Sequence, residues 1–472
     1  MKPSKTQTPQ NKQPPQQESN PAGGVRASLA YDDQGDNTLF DQVQTVQIGA
    51  RALLLHPYVK NENTRRSPES ALSELVSLGG AIDLQAVDIQ YCPLASIRPA
   101  TYMGQGKVDE LTQQVEAQDI EVVIVNCSLS PVQQSNLERA LKTKVIDRTA
   151  LILEIFGARA QTREGVMQVE LAHLSYQRGR LVRSWTHLER QRGGSGFMGG
   201  PGERQIEADR RALDDSIGRL TKQLEKVTRT RDLHRKGRQK VPYPIVALVG
   251  YTNAGKSTLF NRLTNADVYA QDQLFATLDP TMRAITLKSG RKIILSDTVG
   301  FISDLPTHLI AAFRATLEEV IQADIILHIR DISHDETAEQ QADVLEVLDD
   351  LGLQDHSADK LVEVHNKIDL LDQDTTLDGT YASSAGPIPF CALDGRGEDA
   401  LLDRIDQILA IGSHDVAVKL SHEQGDALAW LYRHSDVLSR ADTEEGCELE
   451  VRLTQASLGR LQKMNDIEIL AR

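Results

Sequence analysis

The sequence predicts an α/β protein of several domains, organised around a parallel sheet with one glycine-rich loop at its centre. Three observations carry this. Short apolar runs alternate with segments of helical period in two separate regions. In the second region an apolar run over residues 244–249 leads directly into Gly250-Tyr251-Thr252-Asn253-Ala254-Gly255-Lys256-Ser257-Thr258. Between the two regions lies a long stretch of heptad-like apolar spacing, broken by a block of glycines.

The elements follow in order. Residues 1–46 are rich in Gln, Pro, Asn and Ser and bury too little to fold, so a disordered tail is expected. Residues 47–157 read as a small α/β domain. Its expected strands are 52–55, 86–91, 121–125 and 144–146, and its expected helices 71–78, 107–117 and 131–141. Residues 158–240 read as a helical hairpin, 166–188 against 205–235. In the second helix Ile206, Leu213, Ile217, Leu220, Leu224 and Val227 recur by threes, fours and sevens. The joint, 192–202, holds too much glycine for a helix and reads as a mobile tip, the plainer alternative being a flexible linker. Residues 242–411 form the domain of the glycine loop, with an antiparallel pair turning at Ser289-Gly290. Residues 414–472 suggest a small α+β domain, a helix through Ala427, Leu428 and Leu431 and then a strand through Leu449, Val451 and Leu453, with no chemical motif.

The glycine loop specifies chemistry. The spacing from Gly250 to Gly255-Lys256-Ser257 lets consecutive backbone N–H groups curl around a phosphate, and a side chain at Gly255 would crowd it. Lys256 would reach the β/γ oxygens, the Ser257 hydroxyl would ligate Mg²⁺, and the following helix would aim its positive end at the same group. Further along, a short apolar run ends in Asn366-Lys367-Ile368-Asp369. An aspartate there can accept from guanine N1–H and the 2-amino group. Adenine would set a lone pair against it, so this order of motifs selects GTP. Lys367 would lie along the base, and Asn366 would tie the two loops together.

Three further pieces fall in sequence. Asp297-Thr298-Val299-Gly300 follows a strand over 292–296; Asp297 would hold Mg²⁺ through water and the Gly300 N–H would meet the γ-phosphate. Phe275-Ala276-Thr277-Leu278-Asp279 would form the first switch, with Thr277 closing on Mg²⁺; Thr281 is the competing choice, its other role being to start the next strand. Cys391-Ala392-Leu393 would offer backbone N–H groups to the guanine O6. The domain is thus a P-loop GTPase in which Lys256, Thr277 and Gly300 act in hydrolysis and Ser257 and Thr277 ligate the metal. Asn253 stands where an Asn can hold K⁺ beside the phosphates, or merely cap the loop. Phe301 follows Gly300 and cannot orient a water, so slow hydrolysis in isolation is expected.

Composition narrows the setting. No run of about 18 apolar residues exists, which excludes a membrane-spanning helix and leaves room only for peripheral membrane association. The amino terminus lacks a secretory core segment. Cys92, Cys127, Cys391 and Cys447 are scattered without metal-type spacing, which suits a reducing, cytoplasmic setting. The net charge is −15, yet residues 163–240 hold 18 Lys and Arg against 10 Asp and Glu. One basic element on an acidic body fits a polyanionic partner, though a solvated helical surface would look similar. Arg190, Arg192 and Arg204 bracket the glycine tip; Phe197, and less so Trp185, could stack on unpaired bases.

These residues resemble the HflX family of the Obg–HflX superfamily, from about residue 48 to about 440. The resemblance rests on Thr101-Tyr102-Met103-Gly104-Gln105-Gly106-Lys107-Val108, Ile146-Asp147-Arg148-Thr149, Ala160-Gln161-Thr162-Arg163-Glu164-Gly165, the tip through Gly200-Pro201-Gly202-Glu203, the phosphate loop and residues 275–281. It implies a cytoplasmic GTPase that binds the large ribosomal subunit and splits or recycles stalled ribosomes under stress, with the tip reaching ribosomal RNA near the peptidyl transferase centre. Arg204 replaces a common Thr and makes the tip more basic. A monomer in solution is expected. Two other classes stay open: a GTP-dependent switch for a protein or membrane partner, and an assembly or RNA-remodelling factor whose first domain binds a second nucleotide at Gly104-Gln105-Gly106-Lys107, a turn more in keeping with a structural role.

Overall fold

The computed structural model describes residues 49–60, 65–191, 201–238, 243–265, 274–275, 277–278, 280–304, 317, 319–353, 360–371, 386–411, 413–443, 445–464 and 467–470. The tail, 1–46, lies outside them.

Val, Ile and Leu runs make β1 (Arg51–Val59), β2 (Gln85–Leu94), β3 (Val122–Val125) and β4 (Lys144–Asp147), an all-parallel sheet in the order β2-β1-β3-β4. Its helices start where side chains satisfy free backbone N–H groups. Ser67 accepts from Ser70 N ahead of α1 (Pro68–Gly80), with Pro68 in the first turn. After α2 (Gln105–Gln118), Ser130 and Gln133 form a reciprocal capping box at α3 (Pro131–Leu141). Asp147 caps α4 (Arg148–Arg159) through Ala150 N, 2.9 Å.

The hairpin is α5 (Arg163–Gln191) and α6 (Pro201–Arg238). From Leu213 on, the expected periodicity packs as read: Leu220 is buried with Met167 and Leu174, and Leu213, Ile217, Leu224 and Val227 pack beside them; the Ile206 side chain lies outside what is described. One expectation is corrected. Pro201 and Gly202, assigned to the tip, lie in the first turn of α6, where Pro supplies a helical φ and has no N–H to leave unpaired.

The central sheet comprises β5 (Ile245–Gly250), β6 (Thr281–Thr286), β7 (Lys292–Asp297), β8 (Ile325–Asp331), β9 (Leu361–Asn366) and β10 (Ile388–Pro389). The order is β10-β9-β8-β5-β7-β6, parallel except for the β6–β7 hairpin. It carries α7 (Lys256–Thr264), α8 (Thr337–Asp350) and α9 (Glu398–Ala410). The last domain departs from its expected helix-then-strand pattern. Strand β11 (Ser413–Ser421) precedes α10 (Gly425–His434), and β12 (Asp436–Thr443), β13 (Gly446–Thr454), α11 (Gln455–Leu461) and β14 (Glu468–Leu470) follow. The sheet is antiparallel, β12-β13-β11-β14. Strand β11 alternates through Val416, Val418 and Leu420 as β13 does through Leu449, Val451 and Leu453, yet it was missed; β12 has little apolar character and was missed as well.

One apolar core runs unbroken from the first sheet into the central domain. Leu54, Leu75, Ile124 and Phe156 share it with Val249, Tyr251, Phe275 and Phe301. The Phe156 and Phe275 rings meet edge to face at 4.6 Å, a pairing that adds about 1 kcal/mol to the burial itself.

Asp147 joins three elements. Besides capping α4 it accepts from Leu129 N, Tyr176 Oη and Arg180 Nη1, the last two from the hairpin. Asp147→Ala removes the cap and leaves buried donors unpaired, at a cost of about 2 kcal/mol. Hydrogen-exchange protection across 148–159 should then fall roughly thirtyfold; unchanged protection would contradict this role.

Candidate functional site

The glycine loop turns between β5 and α7, and its two glycines are required by geometry. Gly250 has φ +154°, and a Cβ there would lie 2.2 Å from Ile329 O. Gly255 has φ +90°, caps α7, and would place a Cβ 2.2 Å from Asn366 Nδ2. Tyr251, Thr252 and Ala254 are buried; Asn253 is exposed at φ +61°. Lys256 is buried, with Nζ donating to Gly250 O (3.1 Å) and Tyr251 O (2.7 Å). Burial pushes its ammonium down to about 8. Thr258 follows in the first turn of α7.

Three oxygen side chains converge beside it. Ser257 Oγ lies 2.7 Å from both Thr277 Oγ1 and Asp297 Oδ2, and Thr277 Oγ1 donates to Asp297 Oδ2 at 3.0 Å. Asp297 is fully buried, and burial raises its carboxyl pKa. Its Oδ1 makes no well-formed hydrogen bond among the described residues. One carboxylate and two hydroxyls are hard donors, too few to cage a metal alone but suited to a Mg²⁺ shared with phosphates. The residues therefore fit that ion. Phe275 and Leu278 are buried; Ala276 and Asp279 lie outside the described residues. Thr281 opens β6 opposite Asp297 instead of joining the cluster.

Behind Asp297, Thr298 donates from Oγ1 to Leu248 O, and Val299 is buried. Gly300 reaches the loop closely: a Cβ there would lie 2.9 Å from Thr252 Cγ2 and 3.0 Å from Lys256 Nζ. The next residue is bonded to the loop on both sides, Phe301 N to Gly250 O (3.1 Å) and Thr252 N to Phe301 O (2.7 Å). Phe301 itself is buried in the core.

At the far end, Asn366 joins two loops, donating to Ala254 O (2.8 Å) and accepting from Ala392 N (3.1 Å). Lys367 has φ +63° and pairs with Asp331 at 2.7 Å. Ile368 and Asp369 begin a single 3₁₀ turn; Asp369 is exposed and accepts from the Cys391 thiol at 3.1 Å. The expectation that this loop points its amides outward is corrected for two of them. Cys391 N donates to Arg396 O and Ala392 N to Asn366 Oδ1, so both serve the loop's own shape. Leu393 is 75% exposed.

The turn at Gly104-Gln105-Gly106-Lys107 starts α2, and Lys107 Nζ is held by Gln90 and Glu110. Of the tip residues, Arg192 and Phe197 lie outside the described set; Trp185 and Arg190 fall in α5 and Arg204 in α6.

Sequence reasoning missed a group of side chains that meet Tyr251 and the segment behind Gly300. Glu74 and Arg66 come from α1 and the residues just before it, Arg148 from α4, and Ser303 from beyond Phe301. The available signal was Tyr251, a large polar aromatic in a loop that otherwise needs small residues.

The chain matches four family descriptions in order: "GTP-binding GTPase N-terminal" over 69–157, "GTP-binding GTPase Middle Region" over 159–238, "50S ribosome-binding GTPase" over 245–367 and "HflX C-terminal domain" over 380–466. It is 49% identical to the GTPase HflX of Magnetococcus marinus over 420 residues, 89% of this chain and 96% of the relative. It is 40% identical to the GTPase HflX of Escherichia coli over 417 residues, 88% and 96% of the two chains. Among solved structures, a GTP-binding protein of Sulfolobus solfataricus in complex with GDP aligns at 25% identity and a TM-score of 0.42, covering 77% of this chain and 99% of that one. The chain belongs to the HflX family of GTPases.

Proposed function

We propose that this GTPase acts on the large ribosomal subunit, separating or recycling stalled ribosomes under stress, with the hairpin tip as its RNA-contacting element. The observation that carries the reading is the match of 245–367 to a 50S ribosome-binding GTPase family. The surplus of Lys and Arg over 163–240, on a chain of net charge −15, supports RNA as the surface met by the hairpin.

The site residues would divide the work as follows. Backbone N–H groups from Asn253 to Thr258 would cradle the α/β-phosphates, with Lys256 at the β/γ oxygens. Ser257 and Thr277 would hold Mg²⁺ directly and Asp297 through water; the ion would neutralise charge on the phosphates. Gly300 would offer its N–H to the γ-phosphate. Asp369 would read guanine N1–H and the 2-amino group, with Lys367 along the base and the Leu393 amide at the guanine O6. Asn253, exposed on the loop, would share a K⁺ with the phosphates. Phe301 is buried and apolar, so a water must be oriented by another group, which we assign to the ribosome.

Two outcomes follow. Lys256 starts near 8, and a bound phosphate would raise it. A ligand that raises a lysine pKa binds best below the free value and loses affinity as pH climbs past it. GDP affinity should therefore weaken by roughly tenfold between pH 7.5 and 9, with proton uptake in calorimetry; a flat profile would contradict it. Second, single-turnover hydrolysis should be slow alone and rise by about a hundredfold or more with large subunits, the lower end of what a positioned acid–base group supplies, and run faster in potassium than in sodium. A fast basal rate that subunits do not stimulate would sink the ribosomal reading, and equal rates in the two salts would remove K⁺.

A further inference from the structure

The first α/β domain meets the glycine loop and the segment behind Gly300 through a largely buried polar cluster. Tyr251 Oη donates to Glu74 Oε1 and accepts from Ser303 N at 2.8 Å. Ser303 Oγ donates to Glu74 Oε2 at 3.0 Å. Arg148 Nη2 reaches Glu74 Oε2 (3.1 Å), Ser303 O (3.1 Å) and Ser303 Oγ (2.9 Å) together, while its Nη1 donates to Asn126 Oδ1 at 2.9 Å. Arg66 lies over the Tyr251 ring at 5.0 Å and bonds Glu74 and Asp343. The Glu74 and Arg148 side chains are only 9% and 7% exposed.

The location of the cluster adds to its meaning. In the order β2-β1-β3-β4 the chain winds outward in both directions from β1 and β3. The crevice outside the carboxyl ends of such a pair is where doubly wound sheets take a ligand. Asn126 stands just past β3, His56 just past the stretch of β1 that pairs with β3, and Arg148 just past β4, joined by Asn126 Nδ2 to His56 Nδ1 (3.1 Å) and the Arg148–Asn126 bond. Here the crevice receives Ser303 and the Tyr251 hydroxyl. Ser303 is three residues past Gly300, and Gly300 lies against Lys256, the group placed to meet the γ-phosphate. Phe275, at the other switch, packs on Phe156 of α4.

We infer that Glu74 and Arg148 are positioning residues for GTP hydrolysis, acting across the domain boundary: through Ser303 and Tyr251 they hold the Gly300 amide at the γ-phosphate end of the site. The inference rests on the GTPase activity and is independent of any ribosomal partner. A misplacement of about 1 Å in such a segment can cost as much as a hundredfold in rate.

The test is single-turnover hydrolysis by the full-length protein without ribosomes, with Ser303→Ala and Glu74→Gln. Ser303→Ala removes one hydroxyl and is the milder change if Glu74→Gln folds poorly. Each should lower the rate at saturating GTP by about fivefold or more, and should weaken a non-hydrolysable GTP analogue relative to GDP. GDP affinity should stay within about twofold of the parent, because that segment meets only the γ-phosphate. The double variant should be no slower than the slower single one, since both act through one cluster. Unchanged or raised rates, additive losses, or GDP affinity falling in step with the rate would each overturn the inference.

Discussion

A buried carboxylate, Glu74, depends on partners from two domains at once. A charge at this depth costs several kcal/mol unless it is paired and hydrogen-bonded. Its partners are Arg66 and Arg148 on its own side of the boundary and Tyr251 and Ser303 on the other. The two guanidiniums meet its Oε2 from within the first domain, while its Oε1 accepts from the Tyr251 hydroxyl of the central domain. The apolar core that crosses the same boundary, with Leu75 and Phe156 against Tyr251, Phe275 and Phe301, supplies the burial that makes this pairing strong.

The consequence is a nucleotide site that is not self-contained. In the central domain, Asn366 ties the glycine loop to the loop of Ala392, and Ser257, Thr277 and Asp297 converge at the proposed Mg²⁺ site. Those contacts are internal to the domain. The segment behind Gly300 is different. On one side it is bonded to Gly250 and Thr252, on the other to Tyr251, Glu74 and Arg148. Whatever moves Gly300 must therefore strain or release the first domain. Linkage makes this reciprocal: a first-domain arrangement that favours one nucleotide must itself be favoured by that nucleotide. The first domain carries the hairpin through Asp147, Tyr176 and Arg180, so the same chain of contacts reaches the middle of α5.

Much of the central domain was legible because local spacing encodes it. A strand, Gly250 to Ser257, and a helix in order leave little else to build, and the parallel strands of the first sheet show as apolar runs bounded by turns. The hairpin period in Leu213, Ile217, Leu220 and Leu224 reads directly as a packed stripe. The cross-domain cluster was not legible. Glu74 and Ser303 are 229 residues apart, and each alone reads as an ordinary polar residue. Pro201 and Gly202 look like turn residues, yet a helix tolerates both in its first turn. Strand β12 was missed because half-covered antiparallel strands need few apolar residues. The amides of Cys391 and Ala392 could not be assigned from sequence because backbone donors carry no sequence signal.

The most direct measurement is hydrogen–deuterium exchange of the full-length protein without ribosomes, bound to GDP or to a non-hydrolysable GTP analogue. If Gly300 and the first domain are held as one unit, the two nucleotides should give different exchange in α1 (Pro68–Gly80) and at the start of α4 (Arg148–Arg159), not only around Thr277 and Gly300. Nucleotide-dependent differences confined to the central domain, with α1 and α4 exchanging identically in both states, would contradict it.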